Sequence, residues 1–472
     1  MNIATYYLAL KNKQNNDNNQ QQNINNKNTN KQYDSQNINN NTNNNKQNNN
    51  KQNANKQQNH NKQELIKITS DPLEGFQDNH DYLQNYILTV WQQVAQLYCF
   101  KNYDIPYIER TELYTIKSGE DIVKEMITFK ILGNDVCLKP ENTPSLVRMV
   151  SNMKIDSPER FYNISKNWRF ETVTTERKRE FYQLNCDIVA DNSINAELEL
   201  LSMLVNIFEK LNIKNIKIRF SHRSLINTWL LECLNIEQDK LNDIIKYIDK
   251  IDKIQNFDLK NLLTDEQINK LLYFINIKNP LELQQYNNET INKYVIDIML
   301  LLNLSNNYYI NEYLIFDLKI VRGINYYTGI VFECFAKDSK RAICGGGRYD
   351  NIMKTMNLKK NYEFVGFGLG LNGLLKLVND IKPRIEYGII TTVPNLYDKV
   401  CGIVTIIRKK NIQILPINKF KLTQALKCAN KLNINKCIII MQNEYLNGEF
   451  IIKDLVNNTQ NTVNIDDFLN SL

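Results

Sequence analysis

The sequence predicts an α+β protein: an antiparallel sheet flanked by helices, a helical insertion within it, and a small α/β segment at the end. Three observations carry that expectation. Phe129–Leu138, Glu159–Glu171 and Arg179–Val189 alternate with the period of two expected of antiparallel strands. Between Leu225 and Asn311 the texture turns helical and rich in Lys, Asp and Ile. After Pro383, short apolar runs alternate with a helical stretch, the pattern of a parallel or mixed sheet. At roughly 100–200 residues per domain, a chain of 472 residues should hold two to four such parts.

The N-terminal stretch differs from the rest. Between Lys11 and Lys62 there are 24 Asn and 10 Gln in 52 residues and almost no large apolar side chain. Residues 1–63 cannot bury enough surface to offset the entropy of ordering and are expected to be disordered, a low-complexity expansion. They carry eight Lys against Asp17 and Asp34, a net +6, so of the whole chain's +7 only about +1 is left for the body. The basic balance therefore gives no argument that the body binds nucleic acid.

From about Glu64 the pattern is globular. Tyr82–Phe100 reads as an amphipathic helix with Leu83, Ile87, Val90, Val94 and Leu97 on one face. Asp104–Glu109 is a short extended segment whose Pro106 lacks a ladder donor, which places it at an edge or an interface. Within the insertion, Leu262–Ile277 is the clearest helix, and strands resume at Tyr313–Val321 and Gly329–Phe335. In the last segment Tyr387–Val393, Ile412–Pro416 and Lys436–Met441 read as buried strands. Leu422–Leu432 reads as a helix with Ala425, Leu426 and Ala429 on one side.

No apolar run reaches the roughly 18 residues of a membrane helix, and Asp297 interrupts the nearest, Tyr294–Leu304, so no membrane is expected. The opening residues lack the basic region and cleavage pattern of a secretory signal. Nine scattered cysteines without a CxxC pair point to a reducing compartment and away from a structural zinc site. Only His60, His80 and His222 are present, which nearly excludes histidine triads and multi-histidine metal centres.

Four clusters hold chemistry. In LKPENTPSLVR (Leu138–Arg148), Glu141 and Thr143 sit two residues apart at a strand end, before a helix expected to be capped by Ser or Thr; the same residues also read as a surface turn. In Trp168–Val189, Arg169 and Glu171 share one strand face, and Arg179, Phe181, Gln183, Asn185 and Asp187 share another. Two arginines facing a phenylalanine suit a nucleotide, guanidinium on phosphate and ring on base; this reading outweighs the alternative of a solvated sheet face with a charged hairpin loop. LKIVRGINYYTGIVFE (Leu318–Glu333) delivers Arg322 from a strand end, followed by Tyr326 and Tyr327, a pair that more often packs in a core or hairpin than binds a ligand. AICGGGRYD (Ala342–Asp350) allows close backbone approach. It lacks the GxxxxGK[ST] of a phosphate loop, and the GxGxG spacing of Gly366–Leu375 matches no dinucleotide fingerprint.

Together and in this order, these clusters resemble a class II aminoacyl-tRNA synthetase, specifically the histidyl-tRNA synthetase family, with the flavour of its plant organellar branch. The resemblance runs from about Glu64 to the C-terminus. It implies a class II catalytic domain over residues 64–381, built on a six-stranded antiparallel sheet. It further implies a helical insertion at about 225–311 and an anticodon-binding α/β domain over 385–472. The helix with the Pro106 strand resembles the motif that forms the dimer interface. The implied reaction is ATP-dependent activation of L-histidine and its transfer to tRNA(His), by a homodimer, with ATP as substrate and Mg2+ as cofactor and no protein metal site.

The implied roles follow matching positions. Arg169 and Arg322 are the catalytic arginines, Arg169 on the ATP α-phosphate and Arg322 bridging it to the histidine carboxylate. Glu171 lies on the adenine side, Arg179 reaches the outer phosphates, and Phe181 stacks on adenine. Glu141, Thr143 and Gln183 hold the α-amino group; Asp187 and Tyr327 bind the imidazole, Tyr349 closes the pocket, and Tyr326 is a further histidine-binding residue. Three positions depart from the family pattern: Asn372–Gly373 where Glu-Arg is usual, Asn325 where Asp is usual, and Gln77 where many carry Arg. The missing arginine leaves a catalytically silent histidine sensor or regulatory subunit as the alternative, with an RNA-binding scaffold as a third reading. The cytoplasm is the expected compartment, with a plastid or mitochondrion as the alternative.

Overall fold

The computed structural model describes residues 82–115, 120–174, 176–251, 259–323, 326–337, 339, 341–378 and 385–472. The Asn/Gln-rich segment and the departures at Gln77 and Asn325 lie outside these residues.

The described residues open with the helix Tyr82–Leu97, followed by β1 (Lys101–Asn102) and β2 (Ile108–Arg110). The helix buries Ile87, Val90, Trp91, Val94 and Ala95. Leu97, expected on this face, is 62% exposed. The chain turns at Cys99, where φ is 60°, so the buried stripe ends one turn earlier. The expected strand Phe129–Leu138 is a hairpin, β3 (Ile127–Ile131) and β4 (Asn134–Leu138), folded at Leu132 (φ 49°) and Gly133 (φ 79°). With β2 it forms a three-stranded sheet in the order β2-β4-β3.

The main sheet contains β5 (Glu159–Trp168), β6 (Glu180–Val189), β7 (Ile216–His222), β8 (Leu314–Phe316), β9 (Ile330–Ala336), β10 (Ala342–Arg348) and β11 (Phe364–Gly370). Its order is β1-β5-β6-β11-β10-β9-β7-β8, eight strands where six were expected. The six central strands are antiparallel; β1 on β5 and β8 on β7 add a short parallel strand at each edge. The Pro106 segment leads out of edge strand β1, and Asp104–Tyr107 form no ladder.

Period-two alternation fixes the two faces of the sheet. Leu184, Cys186 and Ile188 of β6 point into the large core with Trp91 and the helix Ile194–Lys210. Their neighbours Gln183, Asn185 and Asp187 face the opposite side. On that side the helix Thr143–Ser151 packs Leu146, Val147 and Val150 against Tyr326, Tyr327 and Tyr349. Each large side chain so buried contributes about 1.5–3 kcal/mol.

The insertion is helical as expected, with Asp265–Ile275 and Glu289–Ser305 its longest helices. A Thr264–Gln267 capping box starts the first of these, and Trp229 stacks on Phe274 at 3.8 Å between ring centroids. The terminal segment holds β12 (Ile385–Thr391), β13 (Ile414–Pro416), β14 (Ile434–Ile440), β15 (Glu449–Asp454) and β16 (Thr459–Asn464). Their order is β13-β12-β14-β15-β16; β12 pairs in parallel with β13 and β14, and the remaining pairs are antiparallel. This is the mixed sheet the alternating pattern predicts. The helix Leu422–Lys431 buries Ala425 and Ala429, with Leu426 half-buried beside them. Among the described residues no helix is long and apolar enough to cross a membrane.

Candidate active site

A cavity of about 450 Å³ opens on the site-bearing face of the main sheet. Eleven of the twelve residues singled out from sequence line it; Arg179 is the exception. From β6 come Phe181, Gln183 and Asp187, joined by Asn185 between them. Arg169 and Glu171 lie just beyond the end of β5 rather than within it, yet both reach the cavity. The Arg169 backbone N–H still donates to the Arg179 carbonyl (2.9 Å), which extends the pairing past the last regular residue.

The three consecutive glycines and the GxGxG run are strand residues whose missing side chains leave room for others. Gly366 pairs with Asp187 across β11 and β6, and a Cβ there would stand 1.9 Å from Asp187 Oδ1. A Cβ on Gly368 would fall 2.0 Å from Gln183 Nε2, and one on Gly345 would fall 1.3 Å from Arg322 Nη1. Close approach is thus the reason glycine sits at these positions of the two adjacent strands β10 and β11.

Asp187 is buried, and the Tyr349 hydroxyl donates to its Oδ1. Its Oδ2 is buried without a hydrogen-bond partner among the described residues. Burial pushes this carboxyl up to about 7, while the Tyr349 bond pulls it the other way. A buried acceptor left open toward a cavity is costly unless a ligand supplies the donor. Tyr326, Tyr327 and Tyr349 cluster around it with ring centroids 4.9–6.3 Å apart, forming an aromatic wall.

Arg322 has φ 52°, in the left-handed region that an arginine rarely adopts. The conformation is held because Arg223 Nη1 donates to the carbonyls of Val321 and Arg322, each at 2.7 Å. Strain retained under such constraint is common where a side chain must be aimed. Arg322 Nη1 donates to Glu333 Oε1 (3.2 Å), and its guanidinium lies 5.7 Å from the Tyr327 ring centroid. Burial disfavours its charge, but Tyr327 and Glu333 outweigh that and hold its pKa above the arginine range.

Arg169 Nε donates to the Pro140 carbonyl (3.0 Å), and its guanidinium stands 5.8 Å from the Phe181 ring centroid. Glu171 pairs with Arg177. Arg179, expected at the outer phosphates, instead lies 4.1 Å from the Phe170 ring centroid, outside the cavity. The stacking partner Phe170 is 59% exposed, so this arginine is drawn to the surface by a cation–π contact.

Glu141 and Thr143 line the cavity where the strand hands over to the helix Thr143–Ser151. That helix begins after Asn142, not after a Ser or Thr cap, and Asn142 makes no cap bond. Its side chain serves a buried network instead, donating to Asn163 Oδ1 and Asn185 Oδ1, each at 3.0 Å. Lys139 Nζ donates to Asn142 Oδ1 (2.6 Å), Ser165 Oγ (2.7 Å) and Asn167 Oδ1 (3.0 Å). Burial brings Lys139 down to about 7. A second clamp fixes the helix from behind: Arg148 makes a bidentate pair with Glu109 at 2.5 and 2.7 Å, and Ser145 Oγ donates to the same carboxylate. The sequence reading missed Lys139, Glu333 and Arg341; Glu333, in strand register two residues before Phe335, was within the quoted motif but carried no role.

Arg348, in the glycine-rich signature, turns away from the cavity. Its Nε and Nη2 donate to the two carboxylate oxygens of Glu197, each at 2.6 Å, and it caps the Asp191 and Ser193 carbonyls. His222 is likewise structural: its Nδ1 accepts from the Leu225 N–H, its ring stacks on Tyr294, and burial lowers it to about 3.

The family model described as histidyl-tRNA synthetase matches residues 87–374. The Arabidopsis thaliana chloroplastic/mitochondrial histidine–tRNA ligase is 30% identical over 85% of this chain and 86% of its own length. The Pyrococcus furiosus histidine–tRNA ligase is 28% identical over 79% of this chain and 91% of its own. The fold is that of the crystal structure of histidyl-tRNA synthetase from Nostoc sp. PCC 7120, with a TM-score of 0.74 at 22% identity, covering 86% of this chain and 99% of that one. With the family model spanning more than half its length, the chain belongs to the histidyl-tRNA synthetase family.

Proposed function

We propose that the chain is a histidine–tRNA ligase that joins L-histidine to tRNA(His) at the expense of ATP, and that the cavity is where it does so. The observation that carries this reading is the open carboxylate oxygen of Asp187 beneath an aromatic wall, with Arg322 and Arg169 on the same cavity. An imidazole N–H donating to Asp187 Oδ2 would satisfy that oxygen, and Tyr327 would face the other side of the ring. A site built on a buried hydrogen-bond partner rejects isosteres that lack the matching group.

In the first step a histidine carboxylate oxygen attacks the α-phosphorus of ATP. A P–O bond forms, the bond to the bridging oxygen breaks, and pyrophosphate leaves with its electron pair. The nucleophile is already ionised, so no enzyme base is required. Arg169 on the α-phosphate and Arg322 between carboxylate and α-phosphate stabilise the charge that spreads in the transition state. Phe181 stacks on adenine with Glu171 beside it, and Glu141, Thr143 and Gln183 hold the α-amino group. In the second step a terminal ribose hydroxyl of tRNA(His) attacks the carbonyl carbon and AMP departs.

Magnesium characteristically binds one or two carboxylates together with substrate phosphates. Glu171 and Glu333 face the cavity and fit that demand, and among the described residues no cluster of three or more His, Cys, Asp or Glu could hold an ion alone. The ion would enter with ATP and neutralise phosphate charge.

Residues 64–381 are the proposed catalytic domain and 385–472 the anticodon-binding domain. A homodimer is supported by the exposed apolar side chains Tyr107, Ile108, Phe129, Ile131 and Leu132 around the three-stranded sheet. The proposed compartment is the cytoplasm; the similarity to the chloroplastic/mitochondrial enzyme of Arabidopsis supports the organellar alternative, and cell fractionation separates the two. Charging of tRNA(His) transcript with labelled histidine by the purified full chain tests the function. Acid-stable charging of tRNA(His) but not of a second tRNA is expected; histidine binding without charging would instead favour the sensor.

A further inference from the structure

The cavity carries more positive charge than the roles above use. Part of it is already engaged, Arg322 with Glu333 and Arg177 with Glu171. Arg179 lies outside the cavity over Phe170, so the outer phosphates lack the cation expected for them. Arg341 is different. It lines the cavity, its side chain is exposed, and among the described residues no hydrogen bond or ion pair involves its guanidinium.

The local backbone explains why it points there. The β9–β10 ladder slips by one residue at Ile343: Ala342 pairs with Phe335, and Cys344 with Cys334. A bulge of this kind bends a strand and re-aims the side chains beside it. Ile343 then covers Gly373, where a Cβ would stand 2.9 Å from Ile343 Cγ2. A longer side chain at 373 would require Ile343 to shift, and the glycine present there supplies no cation. Arg341 precedes Gly345, the glycine that seats the Arg322 guanidinium, by four residues. Arg341 and the seat of the Arg322 guanidinium thus line one cavity from successive parts of the same chain segment.

We propose that Arg341 binds the β- and γ-phosphates of ATP, and hence pyrophosphate as it leaves, in place of a cation at 373. Lys178 is the other lining cation without a carboxylate partner among the described residues, but only a guanidinium offers the planar fork that grips a phosphate at two oxygens. This inference rests on the ligase reading of the cavity.

The test is histidine-dependent ATP–pyrophosphate exchange by the full chain, comparing the parent with Arg341→Ala and Arg341→Lys. Arg341→Ala should raise KM for both ATP and pyrophosphate about tenfold, as expected for loss of an exposed charge-assisted contact. KM for histidine, and the affinity for a non-hydrolysable histidyl-adenylate analogue that has no outer phosphates, should not move. Arg341→Lys should recover part of the loss. A fall in kcat with unchanged KM for pyrophosphate, or an equal loss of analogue affinity, would overturn the role, since either indicates a structural effect. Absence of exchange in the parent would overturn the ligase reading itself, and this role with it; exchange in the parent with unmoved constants in the variants would overturn Arg341 alone.

Discussion

Replacing Asp187 with Asn removes the charge but keeps the shape. In the parent, Oδ1 is occupied by the Tyr349 hydroxyl and Oδ2 is left for the ligand. An amide placed there presents either a donor to the imidazole N–H or, if flipped, a donor to Tyr349. A hydrogen bond to a charged group is worth about 1.5–3 kcal/mol, so histidine affinity should fall about 10- to 150-fold. KM for ATP should stay within about twofold. Stability should move the opposite way. The folded carboxyl titrates at about 7 and the unfolded one near 3.8, so the folded state keeps a proton that the unfolded state has released. Stability of the parent is therefore greatest below the lower value and is lost as pH rises through 7, by at most about 4 kcal/mol. Asp187→Asn lacks this loss. Thermal unfolding from pH 4 to 8 should show the two proteins converging at the acid end, with the variant gaining up to about pH 7 and holding that gain above it, while calorimetric titration with histidine shows the weakened binding. Undiminished histidine affinity, or a stability difference that does not change with pH, would refute the reasoning.

Two further substitutions separate site from scaffold. Gly345→Ala puts a Cβ 1.3 Å from Arg322 Nη1, so it should mimic Arg322→Ala, lowering kcat for exchange at least tenfold while circular dichroism and melting change little. A full-activity Gly345→Ala would mean that the guanidinium has room to move aside. Arg348→Ala leaves the almost fully buried Glu197 carboxylate without its bidentate partner, at a cost of about 3–5 kcal/mol. Urea unfolding should register that loss; a midpoint unchanged from the parent would show that Glu197 finds another partner.

How much of this was legible in the sequence depended on whether local pattern and tertiary purpose agreed. The long strands β5 and β6 alternate cleanly because one face meets the core and the other the cavity, and Gln183, Asn185 and Asp187 could be assigned to a common face directly. The hairpin β3–β4 read as one strand because Leu132 occupies a left-handed turn position that its side chain does not advertise. The glycine-rich strands β10 and β11 were hidden for a related reason. Glycine there serves clearance for Arg322, Gln183 and Asp187 across the sheet, a requirement that no local propensity encodes. The outward turn of Arg179 onto Phe170 and the inward aim of Arg341 both come from irregular backbone at strand ends, where counting by twos fails. The buried Lys139 network was illegible too, since two of its three acceptors, Ser165 and Asn167, lie on β5, far along the chain from Lys139.

The central claim is that the cavity forms an adenylate from histidine and ATP. The most direct measurement is histidine-dependent ATP–pyrophosphate exchange on the purified full chain beside an Arg322→Ala control. The account predicts exchange in the parent and its loss in the control, with folding intact. No exchange in the parent despite measurable histidine binding, or undiminished exchange in the control, would contradict it.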